Sequence, residues 1–388
     1  MSYKKRQNFL VFGKPFIGEE EIKEVVDTLR SGWWGTGPKT EKFEKEFANY
    51  TKSKYSIAVN SATAGLHLAL RALDLKTEDE VITTPLTFVS TVNVILHAGA
   101  KPVFADIDRN TWNINPKEIE KKITKKTKVI LPVHLHGRPA EMDTIMSLAK
   151  KYNTHVIEDA AHAVEAMYHG GKIGSIGDIT VFSFYVTKNL ATGEGGMVTT
   201  NNEKWADRIK VLRLHGLSLD AWKRYSVVHF KLYEAIEPGF KYNLTDIASS
   251  LGIHQLKRIE RNLERRKQIW NMYIQAFKNE TLLTLPAPVE SGTRHAMHLF
   301  AILINLEEMK IERNEFVDRL IKENIGSGVH FSPVHLHPYY RKTYGYKKGD
   351  FPNAEFVGER IVSLPLGANL TDEDVRDVIG AVKKVLHG

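Results

Sequence analysis

The chain has 388 residues, 42% hydrophobic and 26% charged, with no cysteine; this predicts a soluble globular protein large enough for two domains and excludes disulfides and thiolate metal sites. The formal net charge is +8, but 54 basic residues are interleaved with 46 acidic ones, a spread that argues against nucleic acid and suits an anionic small substrate. No apolar run approaches the roughly 18 residues of a membrane span, and Met1-Ser2-Tyr3-Lys4-Lys5-Arg6-Gln7 opens no signal segment, so a cytoplasmic protein without membrane insertion is expected.

Ile22, Val25, Val26 and Leu29 recur at i, i+3, i+4 and i+7, which predicts an amphipathic helix over 19–30. A glycine-rich loop follows, Ser31-Gly32-Trp33-Trp34-Gly35-Thr36-Gly37-Pro38, and Phe43, Phe47 and Tyr50 mark a second helix. From Tyr55 strands and helices alternate. Strand-like runs fall at Tyr55–Val59, Glu80–Thr84, Lys101–Asp106, Val129–His134, Thr154–Ile157, Ile179–Phe184 and Gly196–Thr200. Helical runs lie between most of them, at Thr63–Leu73, Ser90–His97, Pro116–Ile123 and Asp143–Tyr152. The alternation predicts an α/β fold with a mostly parallel sheet covered on both faces, its ligand at the strand carboxyl ends.

After Leu244 the texture changes. Thr245 reads as the N-cap of a helical pattern reaching Lys278, roughly 50 Å if unbroken, so a kink near Gly252 is expected. The basic stretch Lys257–Lys267, which also holds Glu260 and Glu264, reads as one solvated helix face. Pro286-Ala287-Pro288 ends the pattern, and the remainder mixes strands such as Leu299–Ile304 with helices. The last helix opens on a Thr371/Asp374 capping pair and turns Val375, Val378, Ile379 and Val382 inward. The expected division is a large domain over 1–250 and a long helix with a smaller α+β domain over 251–388.

His155-Val156-Ile157-Glu158-Asp159-Ala160-Ala161-His162 reads as a strand ending in a carboxylate. Lys188 follows 29 residues after Asp159, in a polar turn between Ser183 and the glycines Gly193, Gly195 and Gly196. A lysine at a sheet rim suits a Schiff base with an aldehyde once burial or positive charge depresses its pKa. An acid at a neighbouring strand end keeps a pyridine nitrogen protonated, and the pair points to pyridoxal 5'-phosphate (PLP). Asn60-Ser61-Ala62-Thr63 opens a helix, either as a phosphate cradle to which Thr63 adds a hydroxyl or as a plain turn capped by Ser61. Phe88 is a ring-stacking or a core aromatic; His162 is a ring contact or a surface histidine; Ser183 is a phosphate donor. The pairs His134/His136 and His335/His337 invite a metal, His134 and His136 sharing one strand face, but lack a third ligand at sensible spacing. The glycines from Gly170 to Gly177 lack the dinucleotide spacing.

These residues resemble the DegT/StrS family of PLP-dependent nucleotide-sugar aminotransferases, of aspartate aminotransferase fold type I. The resemblance runs from Ser31-Gly32-Trp33 through Asn60–Leu68, Glu158–His162, Ser183–Gly196 and Gly239–Leu244 to Ser363-Leu364-Pro365-Leu366. Within the family, Leu214-His215-Gly216-Leu217, Asp220-Ala221-Trp222, Pro238–Leu244 and Gly328-Val329-His330-Phe331 look most like the branch that makes UDP-4-amino-4-deoxy-L-arabinose, though the chain departs from that branch after His335. The resemblance implies Lys188 as Schiff-base lysine and proton shuttle and Asp159 as partner of the ring nitrogen. It implies Phe88 and His162 as ring contacts and Ala62, Thr63 and Ser183 as phosphate holders. Asn243 would reach the phosphate of a neighbouring subunit in a homodimer with shared sites. Trp33, Thr36 and His330 would line the site for L-glutamate and a nucleotide-linked keto sugar, aminated at C4 or alternatively C3. A sugar dehydratase of the same fold carries histidine at the lysine position, which Lys188 opposes. A non-catalytic regulator should have lost some of Asp159, Lys188, Thr63 or Ser183, and all are present.

Overall fold

The computed structural model describes residues 4–218 and 234–388, so Asp220-Ala221-Trp222 lie outside the described residues. The alternation read from the sequence becomes, in chain order, α1 (Glu19–Ser31), α2 (Pro38–Thr51), β1 (Tyr55–Val59), α3 (Ala62–Ala72), β2 (Glu80–Thr83), α4 (Ser90–His97), β3 (Lys101–Phe104), α5 (Pro116–Lys122), β4 (Thr127–Leu131), α6 (Met142–Tyr152) and β5 (His155–Asp159). A hairpin of β6 (Met167–Tyr168) and β7 (Gly171–Lys172) precedes β8 (Ile179–Ser183), β9 (Gly196–Thr200) and α7 (Glu203–Leu212). The sheet has seven strands in the order β1-β9-β8-β5-β4-β2-β3. Only β9 opposes its neighbours; the pairs from β8 to β3 are parallel.

Both faces of this sheet are dry, because successive side chains along each strand enter different cores. Val129, Ile157, Val181 and Val198 pack with α3 and α7, whereas Ile130 and Val156 pack with α6, and Phe182 and Met197 with α2 and α8 (Asp246–Lys257). Each fully buried Val, Ile or Phe contributes about 1.5–3 kcal/mol.

Beyond α8 come α9 (Ile259–Phe277), β10 (Leu283–Thr284), β11 (Phe300–Ile304), α10 (Arg313–Lys322), α11 (Pro338–Tyr344), α12 (Pro352–Arg360), β12 (Ile361–Leu364) and α13 (Asp372–His387). The antiparallel sheet β10-β11-β12 shares one core with α9, α10 and α13. Thr245 and Thr371 cap α8 and α13 as expected, the latter in a full capping box.

Three expectations are corrected. The long helix breaks at Arg258, not Gly252. Gly252 lies against Phe43 so closely that a Cβ would meet its ring at 2.6 Å; the glycine serves helix contact rather than a bend. The stretch 257–267 is not one solvated face, since Leu263 and Arg266 are buried. The predicted strand to His134 stops at Leu131, so His134 and His136 share no strand face.

Candidate active site

Asp159 ends β5 at the carboxyl edge of the sheet. Its Oδ2 accepts from Thr91 Oγ1 at 2.8 Å and its Oδ1 from the Ala161 N–H at 3.1 Å. Because Thr91 spends its proton on Asp159, Thr87 Oγ1 donates to Thr91 at 2.9 Å, forming a short relay. Burial pushes the Asp159 carboxyl above its ordinary value, while Thr91, Ala161 and the charge of Lys188 oppose the rise. Lys188 sits in the turn after β8, its N–H donating to Tyr185 O at 2.8 Å. Burial lowers its pKa to about 8, against the pull of Asp159. The depressed pKa expected of a reactive lysine is present, and its cause is desolvation.

Ser183, the last residue of β8, pairs with Gly196 of β9. A Cβ on Gly196 would lie 2.8 Å from Ala62 N and 2.7 Å from Phe182 O. Glycine therefore lets the strand end press against the start of α3. Ser61 Oγ accepts from Ala64 N–H at 3.1 Å, so it is an N-cap. The N–H groups of Ala62 and Thr63 have no acceptor inside the helix and suit an anion. Ser61 therefore caps α3, and Gly196 brings the strand end that carries Ser183 beside the start of that helix.

Around the lysine stand histidines that burial holds neutral. His136 and His330 fall to about 4 and about 3, and His162 and His298 well below the ordinary imidazole range. The His136 N–H donates to His162 Nδ1 at 3.2 Å, so the proton of a neutral His162 is on Nε2. His162 stacks on Phe331 at 6.0 Å, and Phe331 meets Phe88 at 5.8 Å; Phe88 itself is 56% exposed. His330 bonds Ser363 Oγ through Nδ1 at 2.9 Å and stacks on Phe12. His298 Nδ1 bonds Asn189 Oδ1 at 3.0 Å, while Asn189 Nδ2 donates to Glu165 and to Ala296 O. Asn189 Oδ1 is thus the acceptor, and His298 carries its proton on Nδ1. Glu165 is closed by a buried ion pair with Arg266.

Sequence reading missed Thr91, His136, Asn189, His298 and the Glu165–Arg266 pair. Glu165, a lone acid in Ala163-Val164-Glu165-Ala166, carried a signal, since an acid in an apolar run needs a buried partner. The other residues carried none.

Trp33, Thr36 and Asn243 form a second cluster. Trp33 Nε1 donates to Thr36 O at 3.1 Å, Thr36 Oγ1 to Leu244 O at 2.5 Å, and Asn243 Nδ2 to Thr36 Oγ1 at 2.5 Å. Asn243 Oδ1 is buried without a partner among the described residues. Among the described residues no hydrogen bond joins this cluster to Asp159 or Lys188. His134 turns away to Glu158 at 2.8 Å and His335 to Glu355 at 3.0 Å, and no described group of three such residues could hold a metal.

Residues 15–383 match the DegT/DnrJ/EryC1/StrS aminotransferase family. The chain belongs to that family. The spore coat polysaccharide biosynthesis protein SpsC of Bacillus subtilis is 50% identical over 99% of both chains. Spr1654 of Streptococcus pneumoniae, solved in apo, PLP and PMP forms, superposes in its PMP form with a TM-score of 0.89 at 36% identity, over 97% of this chain and 98% of that one. Helicobacter pylori PseC, an aminotransferase of pseudoaminic acid biosynthesis, superposes with a TM-score of 0.91 at 28% identity, over 98% and 99%. This family member is a PLP-dependent sugar aminotransferase. Its own residues fit the cofactor: a buried acid with two donors, a lysine of lowered pKa, and a helix start whose first N–H groups suit an anion.

Proposed function

We propose that the enzyme moves the amino group of L-glutamate to C4 of a nucleotide-linked keto sugar. The observation that carries this reading is the pairing of Lys188, its pKa lowered by burial, with the doubly bonded Asp159 at the rim of one sheet. PLP, when bound, supplies an aldehyde that condenses with amines and a ring that accepts the electron pair of a broken C–H bond. Asp159 would pair with the ring nitrogen and keep it protonated. Ala62, Thr63 and Ser183 bind the phosphate. Phe88 and His162 contact the ring, and His162 has an Nε2 proton to donate to a ring oxygen. Lys188 would hold the cofactor's aldehyde, and its Nζ would take up and return a proton beside it; a pKa of about 8 lets it act as base and acid near neutrality. His330, half-buried and held neutral by desolvation, orients the donor carboxylate or the sugar.

Trp33, Thr36 and Asn243 act on a neighbouring subunit. Ile22, Leu29 and Trp34 leave apolar surface bare on the N-terminal side, which supports a homodimer that covers it. The product feeds polysaccharide or glycoconjugate synthesis, as the name of SpsC suggests for that relative. The test is the PLP-loaded enzyme with glutamate and a panel of UDP-, GDP- and dTDP-linked 4-keto and 3-keto sugars. Formation of 2-oxoglutarate and a 4-amino sugar from one of them is expected. Turnover of 3-keto sugars alone would overturn the C4 assignment.

A further inference from the structure

Residues 11–16 run as a strap from the segment after α10 to the turn after β8. Leu10 bridges Ile325, Phe12 stacks on His330, and Gly13 passes so close to Thr187 that a Cβ would meet its Cγ2 at 2.7 Å. Between this strap and the turn 186–189, which contains Lys188, lies a cleft floored by α9 and closed by residues 366–370. Its walls are of two kinds.

Phe12, Phe16 and Leu370 supply apolar surface. The polar side gathers donors. Asn262 is only 5% exposed, yet its amide has no hydrogen-bond partner among the described residues. Arg266, 2% exposed, gives Nη2 to Glu165 while its Nε–H has no acceptor. Glu165 balances the guanidinium charge, so the positive charge of the cleft comes from Lys14, which forms no ion pair among the described residues, beside Lys188 at the cleft wall. A short apolar wall beside an ammonium and a spare amide suits a methylene chain that ends in a carboxylate.

We propose that this cleft receives the distal carboxylate of a dicarboxylic amino donor, with Lys14 and Asn262 setting the preference over monocarboxylic amino acids. The assignment rests on the reading of L-glutamate as donor given above, and deepens it. Calorimetric titration of the PLP-loaded enzyme with glutarate reads the cleft without turnover. Lys14→Ala and Asn262→Leu should each weaken glutarate by about tenfold or more. Bleaching of the yellow band reads the donor: both variants should slow L-glutamate by the same factor and leave L-alanine unchanged. Lys14 is exposed, so its variant should fold even if the Asn262 variant does not. Failure of the wild type to bind glutarate, equal affinity in Lys14→Ala, or a joint fall of the glutamate and alanine rates overturns the proposal. Glutarate binding that depends on Lys14, with a band that L-glutamate leaves intact, supports the cleft and overturns glutamate as donor.

Discussion

At Asp159 burial and hydrogen bonding pull in opposite directions. Desolvation favours the neutral acid, and the Thr91 hydroxyl and Ala161 N–H favour the carboxylate that a protonated ring nitrogen requires. Thr91→Val removes one donor and strands Thr87, at a cost of about 1.5–3 kcal/mol for a bond to a charged acceptor. Turnover should fall by about ten- to a hundredfold, and PLP should titrate in more weakly; wild-type values for both would end the role of the relay. The histidines act on stability. His136, His162, His295, His298 and His330 all titrate below 6.5 in the folded chain, His295 at about 3. Between pH 6.5 and 4 the unfolded chain binds protons that the native one refuses. Stability therefore falls as pH falls, by about 1.4 kcal/mol per pH unit for each such histidine. His295 lies outside the bonded ring around Lys188, its Nδ1 accepting from Met297 N–H. His295→Gln should make urea-unfolding stability fall less steeply between pH 6 and 4.5; an unchanged slope would sink this account.

The helix starts are where sequence and structure agree in detail and where one buried acid does the most. Asp246, at the first turn of α8, accepts from the N–H groups of Gly37, Lys39 and Thr40 and from Thr40 Oγ1, while its own N–H reaches Trp34 O and Gly35 O. It thereby ties α2 and the loop bearing Trp33 and Thr36 to α8. An amide has one acceptor oxygen and turns an N–H toward those donors. Asp246→Asn should therefore cost about 2–4 kcal/mol, read as a lower denaturant midpoint, and an unchanged midpoint would contradict the clamp. Such local features were legible in advance: Thr245 and Thr371 as caps, Ser90–His97 as a helix, Asp159 at a strand end and Lys188 in a turn. What stayed hidden depends on residues far apart in sequence. Arg266 belongs to a charged run, and only Glu165, folded against it from the far side of β8, explains its burial. Gly252 looks like a helix breaker until the Phe43 ring lies on it. His134 and His136 look like a ligand pair until the strand ends early and the left-handed His136, at φ 58, sends them to different partners.

On the scale of the whole molecule, no described hydrogen bond joins the side chains of Trp33, Thr36 and Asn243 to those of Asp159 and Lys188, although the backbone of Asn243 bridges Val59 at the end of β1. The charge of Lys188 acts on Asp159 and on the nearby histidines, while Thr36 and Asn243 are joined by a hydrogen bond, with Asn243 Oδ1 unpartnered among the described residues. Beside the second cluster, Ile22 and Leu29 of α1 are 49% and 43% exposed, so half of the apolar stripe read from the sequence stays bare in the described chain while Val25 and Val26 are half-buried. Bare apolar surface next to an incomplete polar cluster is what a shared site leaves on each half. If Asn243 serves the neighbouring subunit, Lys188→Ala and Asn243→Asp damage different halves of one site, the second by setting a charge against the phosphate. Each homodimer should then be inactive. A hybrid dimer places both defects in one site and none in the other. Refolding an equal mixture should give hybrids in half of the dimers and restore about a quarter of wild-type activity. Native mass spectrometry counts the hybrids and turnover reads the rescue. Hybrids that form in that proportion and stay as inactive as their parents would mean that Asn243 serves its own chain, as a residue of the turn into α8.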